Sequence, residues 1–228
     1  MGFMIGSDVD VAPFGAFEDR ADAGRELAAA VLHLEDEQPI VLALPRGGVP
    51  VAFEVAGALS APLDVVLVRK IGAPRQKELG LGAVVDGPHP QIVLNEDVVR
   101  AVQPGDEYIQ AEAGREIAEI ERRRDLYRRG RPPLDVRRRT VIVVDDGIAT
   151  GGTMKAVLKA LRELQPKKLV LAVPVAPADS IAELSPLADD VIVLAMPEPF
   201  YAVGAYYRDF TQTSDEEVID LLARARAD

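Results

Sequence analysis

The sequence predicts an α/β fold in which helices flank a central, mainly parallel sheet. Three observations carry this reading. Short continuous apolar runs recur at 40–44, 63–70, 140–144, 168–173 and 190–195, as expected of strands buried on both faces. Segments with helical spacing separate them, which is the pattern of strand–helix–strand units. One of these runs (140–144) ends in a Gly-rich turn that opens directly into a helix, the junction at which such sheets bind ligands.

Each element follows from local chemistry. In Glu18–Glu37, Leu27, Val31 and Leu34 recur at helical spacing, and Pro39 stops the helix by constraining the residue before it. IVLAL (40–44) is a strand, PRGGVP a loop, and Val49–Leu59 a helix closed by Ser60-Ala61-Pro62. LDVVLVRK (63–70) reads as the second buried strand. Residues 71–82, rich in Gly and charged side chains, read as a long mobile loop. AVV (83–85) and QIVL (91–94) form a hairpin around DGPHP. A long helix runs from Gly105 to about Arg129, with Ile109, Ala113, Ile117 and Ile120 on one face, and Pro132-Pro133 breaks it. TVIVV (140–144) is the third strand, and Thr153–Leu164 a helix ended by Pro166. KLVLAV (168–173) and DVIVLA (190–195) are the fourth and fifth strands. Ser214 caps a last helix, with Glu217 three residues on. No linker divides the chain, so one domain is expected over 1–228, with a core at about 40–195 and additions from 1–38 and 196–228.

Composition excludes several chemistries. There is no Cys, so disulfides, thiolate metal sites and cysteine nucleophiles are absent. Two isolated His, His33 and His89, do not make a metal centre. No apolar stretch is long enough for a membrane span, and the first residues lack the features of a secretory signal, so a cytoplasmic location is expected. The net charge of −11 argues against nucleic-acid binding by the whole surface. That charge is uneven: RRRDLYRRGRPPLDVRRR (122–139) carries +7, which leaves −18 elsewhere.

The segment VIVVDDGIATGGTM (141–154) holds the chemistry. A buried strand delivers Asp145 and Asp146 to its carboxyl end. Gly151 and Gly152 let backbone approach a ligand, the following helix offers free N–H groups, and Thr150 and Thr153 add hydroxyls. Two carboxylates repel a phosphate but suit sugar hydroxyls or a hard cation such as Mg²⁺. The pieces describe a sugar-phosphate site. The phosphate loop GxxxxGK[ST] and the dinucleotide fingerprint GxGxxG are both missing there.

Residues 141–153 resemble the phosphoribosyl pyrophosphate (PRPP) motif of type I phosphoribosyltransferases. The resemblance implies that family's fold, with a hood and a mobile loop-hairpin, and a Mg²⁺-dependent transfer of phosphoribose from PRPP to a nitrogenous base with release of pyrophosphate. It makes Asp145 and Asp146 the catalytic ribose and metal ligands, and Ala149, Thr150, Gly151, Gly152 and Thr153 the 5′-phosphate cradle. ALPRGGVPVA (43–52) resembles the family's pyrophosphate loop, implying roles for Arg46, Gly47 and Gly48. In VLVRKIG (66–72), Arg69 and Lys70 match a basic strand end that neutralises pyrophosphate, Lys70 also counting as catalytic. Arg75 and Lys77 lie in the segment corresponding to the mobile loop, as pyrophosphate contacts. The order of these segments also matches, over roughly residues 40–195. The fuller pattern looks like stand-alone phosphoribosyltransferases of undefined acceptor.

Members that use hypoxanthine or guanine often carry Asp where this chain has Ala149, and a Lys after the next strand where it has Pro174-Val175-Ala176-Pro177. Both departures point away from hypoxanthine and guanine as acceptors. The segment MPEPFYAVGAYYRDF (196–210) holds five aromatic residues, Phe200, Tyr201, Tyr206, Tyr207 and Phe210, which suit stacking on a flat ring. By resemblance it is the hood over the base, with Phe200, Tyr201, Tyr207 and Asp209 as base contacts. Phe14 and Phe17 are assigned to packing. The resemblance allows a homodimer. Two alternatives remain open: a PRPP-sensing regulator that binds nucleic acid through 122–139, and a PRPP- or nucleotide-binding protein without turnover. Nucleic acid is the disfavoured partner, because only Tyr127 interleaves the arginines.

Overall fold

The computed structural model describes residues 15–87 and 89–225. Phe14 and the first residues therefore lie outside the described residues. Chain order runs α1 (Arg20–Val31), a 3₁₀ segment, β1 (Ile40–Ala43), α2 (Gly48–Ala58), β2 (Leu63–Val65), β3 (Val68–Ala73), β4 (Gln76–Val85), β5 (Gln91–Leu94), α3 (Glu96–Val102), α4 (Asp106–Arg128), β6 (Thr140–Val144), α5 (Gly152–Glu163), β7 (Lys168–Val175), α6 (Ala178–Leu184), β8 (Asp190–Ala195) and α7 (Asp215–Arg224).

Five strands form the expected parallel sheet, in the order β2-β1-β6-β7-β8. Every residue of β1, β2 and β6 is buried, which is why these strands read as apolar runs interrupted only by Asp64 and Thr140. Alternate side chains enter two cores. Val41, Ala43, Ile142 and Val144 pack with α1, α2, α4 and α7, whereas Ile40, Leu42, Val141 and Val143 pack with α5 and α6. Each fully buried aliphatic side chain contributes roughly 1.5–3 kcal/mol through removal of apolar area from water. The chain leaves β1 toward β2 on one side and returns as β6 on the other. The carboxyl ends of β1 and β6, paired at Ala43 and Val144, thus meet at a topological switch point.

Two expectations need correction. The run 63–70 is not one strand. It ends in the parallel sheet at Val65, and Val68 begins a separate antiparallel sheet, β3-β4-β5. The segment 71–82 is not an irregular loop. It belongs to β3 and β4, turning at Pro74-Arg75, with Arg75 at φ +63. Its glycines mark irregular register near Gly72 and close approach to β5 at Gly82. The outer half of β4 is exposed, so its polar residues give no apolar signal. Helices α3 and α6 are too short to show a helical period in the sequence.

The arginine-rich stretch is largely consumed by ion pairs. Arg122 and Arg123 donate to Glu119, and Arg124 to Asp86. Arg128 is buried and bridges Asp64 (3.1 Å), Asp86 (2.8 Å) and the Val65 carbonyl (2.8 Å). Arg137 pairs with Asp135, and Arg139 donates to the Gln38 carbonyl. Arg129, Arg131 and Arg138 are exposed. No helix among the described residues is long and apolar enough to cross a membrane.

Candidate functional site

The site is built where β1 and β6 end. The Leu44 N–H donates to the Val144 carbonyl at 2.9 Å and holds the two following loops together. They approach so closely that a Cβ on Gly47 would lie 2.0 Å from Asp146 Oδ2, and one on Gly48 2.9 Å from Asp145 Cα. Only glycine fits at either position. The Pro45–Arg46 peptide between them and β1 is cis.

Asp145 and Asp146 stand side by side, and the Asp146 N–H donates to Asp145 Oδ1 at 2.9 Å. Burial is the main cause that raises both carboxyls above the usual carboxylate range. The charge of Asp146 pushes Asp145 further up, and Arg20 pulls both back. Arg20 Nε donates to Asp146 Oδ2 at 2.7 Å. The Tyr207 hydroxyl donates to the Asp146 carbonyl at 2.5 Å, and burial raises that phenol above its ordinary range.

The loop 149–153 leads into α5. Gly151, at φ +71, is its N-cap. Ser180 Oγ donates to the Ala149 carbonyl at 2.8 Å and fixes the loop from α6. Thr150, Gly152 and Thr153 are exposed, and the first N–H groups of α5 lack intrahelical partners. A cleft of about 470 Å³ joins Thr150, Gly152 and Thr153 to Lys70.

The other cations named from sequence are engaged elsewhere. Arg46 lies 3.8 Å from Asp215, which also accepts from the Tyr127 hydroxyl. Arg69 pairs with Glu116 at 2.7 Å, Lys70 with Glu78 at 3.0 Å, and Lys77 with Glu112 at 2.5 Å. Arg69 and Lys77 are thereby held against α4. Glu112 and Glu116 carry no sequence signal for this, because they recur as ordinary helix-surface acids.

Two chain segments form the aromatic hood. The Gly15, Phe17, Arg208 and Asp209 N–H groups bond across from 15–18 to 205–209. Phe200 stacks on Tyr206 at 5.5 Å, and Tyr201 is 67% exposed. Tyr207 is buried between Phe17 and Phe210, at 5.4 and 5.0 Å. The Asp209 carboxylate accepts from Thr211 N–H and Oγ1 at 2.9 and 2.6 Å. Arg20 is the contact that sequence reasoning missed. Its partner lies 126 residues away, and nothing local marks it. Among the described residues no three His, Cys, Asp or Glu side chains cluster as a metal cage. Any metal here would rest on Asp145 and Asp146 together with ligand oxygens.

The family model of the phosphoribosyl transferase domain matches residues 15–208. A protein of Mycobacterium tuberculosis H37Rv, provisionally named a phosphoribosyl transferase, is 49% identical over 212 residues, covering 93% of this chain and 47% of that protein. The chain thus spans about half the length of the relatives it matches. The crystal structure of TT1426 from Thermus thermophilus is similar, with a TM-score of 0.79 and 44% identity over 91% of this chain and 98% of that one. A hypothetical protein from Neisseria gonorrhoeae, solved with bound ppGpp, shares the fold alone. Its TM-score is 0.53 at 16% identity, covering 94% of this chain and 97% of that one. From the parallel sheet, the acidic loop after β6 and the match across 15–208, this chain belongs to the phosphoribosyl transferase family.

Proposed function

We propose that the chain transfers the 5-phosphoribosyl group of PRPP to a nitrogenous base. The observation that carries this reading is the packing of Gly47 and Gly48 against Asp146 and Asp145. It sets the glycine loop directly beside two desolvated carboxylates. Asp145 and Asp146 accept hydrogen bonds from the ribose hydroxyls. The Ala149–Thr153 loop and the N-terminus of α5 take the 5′-phosphate. Arg46 and the Gly47 amide take the pyrophosphate, with Lys70 lining the cleft, while the Gly48 N–H is held by the Leu44 carbonyl at 3.0 Å and serves the loop's shape.

In the reaction, the bond from C1 to the pyrophosphate oxygen breaks and a bond from C1 to the acceptor nitrogen forms. The electron pair leaves with pyrophosphate, and the acceptor N–H proton passes to solvent. The protein's part is positioning and charge stabilisation. Asp145 and Asp146 are hard oxygen donors in a desolvated pair with Arg20 as their near cation, and this donor chemistry fits Mg²⁺. When bound, Mg²⁺ supplies charge neutralisation for the diphosphate. The hood, with Phe200 stacked and Tyr201 exposed, suits a flat heteroaromatic acceptor, and Asp209 offers it an acceptor oxygen. The ion pairs of Arg122, Arg123, Arg124 and Arg128 favour this reading over a nucleic-acid regulator.

The test is pyrophosphate release from PRPP and Mg²⁺ across a panel of purines, pyrimidines and their analogues. Release with one acceptor, lost in Asp145→Asn, supports the reading. Silence across the whole panel sinks it.

A further inference from the structure

We propose that Arg20 is a positioning residue that couples the hood to the PRPP loop, an inference that rests on the function proposed above. One guanidinium makes three engagements that no other described side chain combines. Nε donates to Asp146 Oδ2 at 2.7 Å, Nη1 donates to the Thr211 carbonyl at 2.7 Å, and Cζ lies 3.9 Å above the Phe210 ring. The Arg20 side chain is 11% exposed and that of Asp146 15%, so water competes little for either. Arg20 sits at the first residue of α1, directly after Asp19, whose carboxylate caps the helix by accepting from the Asp22 N–H. Its backbone is therefore fixed.

Asp146 is held by the hood at both ends. Its carboxylate reaches Phe210 and Thr211 through Arg20, and its carbonyl takes the Tyr207 hydroxyl. Tyr207 and Phe210 are themselves in ring contact. A shift of the segment 207–211 must therefore move the carboxylate, and a ligand that pins the carboxylate must steady that segment. Gly47 closes the third side, because a Cβ there would come within 3.2 Å of Arg20 Nε as well as striking Asp146. The planar fork explains why this position needs Arg. Lysine carries the charge but cannot serve two divergent acceptors and lay a flat face on Phe210 at once. Coupling of this kind links the two substrates: sugar phosphate in the loop orders the hood that receives the acceptor.

The experiment uses PRPP with MgCl₂ as the probe and two readouts. Calorimetry gives PRPP affinity, and amide hydrogen exchange follows residues 205–213, the hood segment that Arg20 and Tyr207 tie to Asp146. In the unaltered protein PRPP slows exchange at 205–213. Arg20→Lys keeps a cation beside Asp146, so PRPP affinity falls less than about tenfold while the PRPP-dependent slowing disappears. Arg20→Ala loses both, with affinity down about 10–100-fold, the range for a lost charge-assisted hydrogen bond. Tyr207→Phe, which leaves Arg20 intact, retains the slowing. A purely architectural role for Arg20 would raise exchange with and without PRPP alike. If Arg20→Lys, folded by circular dichroism, still shows the PRPP-dependent slowing, the coupling is overturned and the transferase reading stands. If the unaltered protein does not bind PRPP, the transferase reading falls first and the coupling with it.

Discussion

Gly47→Ala is the sharpest perturbation of the site. The added methyl carbon would sit 2.0 Å from Asp146 Oδ2, whereas ordinary contact begins near 3.4 Å. Either the carboxylate or the loop must give by about 1.4 Å, since contacts this short are strongly repulsive. The carboxylate is tied to Arg20 at 2.7 Å, and Arg20 is tied at 2.7 Å to Thr211, so neither gives freely. Overpacking of this kind costs about 1–3 kcal/mol. For a chain of this size each kcal/mol is worth roughly 2–4 °C in Tm, giving a fall of about 2–12 °C. Misplacing a substrate ligand by about 1 Å costs on the order of 100-fold in rate, so kcat/KM for PRPP should fall by about two decades. Gly57→Ala is the control. Gly57 is exposed near the end of α2, a Cβ there meets nothing within 4 Å, and removing a helical glycine stabilises by about 0.5–1 kcal/mol. Differential scanning fluorimetry and PRPP-dependent pyrophosphate release read both variants. Gly47→Ala with PRPP kinetics within twofold of the unaltered protein would refute the claim that glycine is needed for this approach.

Asp145→Asn should abolish transfer yet raise Tm at pH 7.5. Burial places the folded carboxyl above its ordinary range, so the folded protein binds that proton more tightly than the unfolded chain and stability falls as pH rises above about 4. The advantage of the Asn variant must therefore shrink as pH is lowered toward 4, and calorimetry at the two pH values checks the sign. Arg128→Ala leaves Asp64 buried without its cation and Asp86 with Arg124 alone. A loss of roughly 3–5 kcal/mol in urea unfolding is expected, and a loss under 1 kcal/mol would contradict the burial argument. Tyr127 is shielded by burial and by its bond to Asp215, which push its phenol up to about 12. Ultraviolet titration should find a late-ionising tyrosine, and Tyr127→Phe should remove that late step.

The parallel sheet was legible because burial on both faces leaves strands little room for polar residues, as in TVIVV and KLVLAV. Ser214 was legible as a cap, and its Oγ accepts from the Glu217 N–H at 3.1 Å. The acidic, Gly-rich turn after β6 was legible because its residue types serve an anion and a diol and little else. The β3–β4 hairpin was not, since glycines needed for close strand contact look identical to glycines of a loop. Nor were the partners of Arg69 and Lys77, which come from α4 some 35–47 residues away. Arg20 lay beyond reach for the same reason. A charge at a helix start ordinarily faces water, and only tertiary packing brings this one to Asp146.

The zipper between 15–18 and 205–209 also orders assembly in time. Closing a loop of this length costs only slightly more entropy than closing a short one, since the cost grows with the logarithm of length. It nevertheless waits until the later segment exists. During synthesis the β1–β6 pairing can form once residue 144 has emerged, but Tyr207 must follow before its hydroxyl reaches the Asp146 carbonyl, and Thr211 before Arg20 is tied to the hood. The acidic loop is thus left without its hood ties through the translation of more than 60 further residues. Those ties are made only after every strand of the parallel sheet has been synthesised.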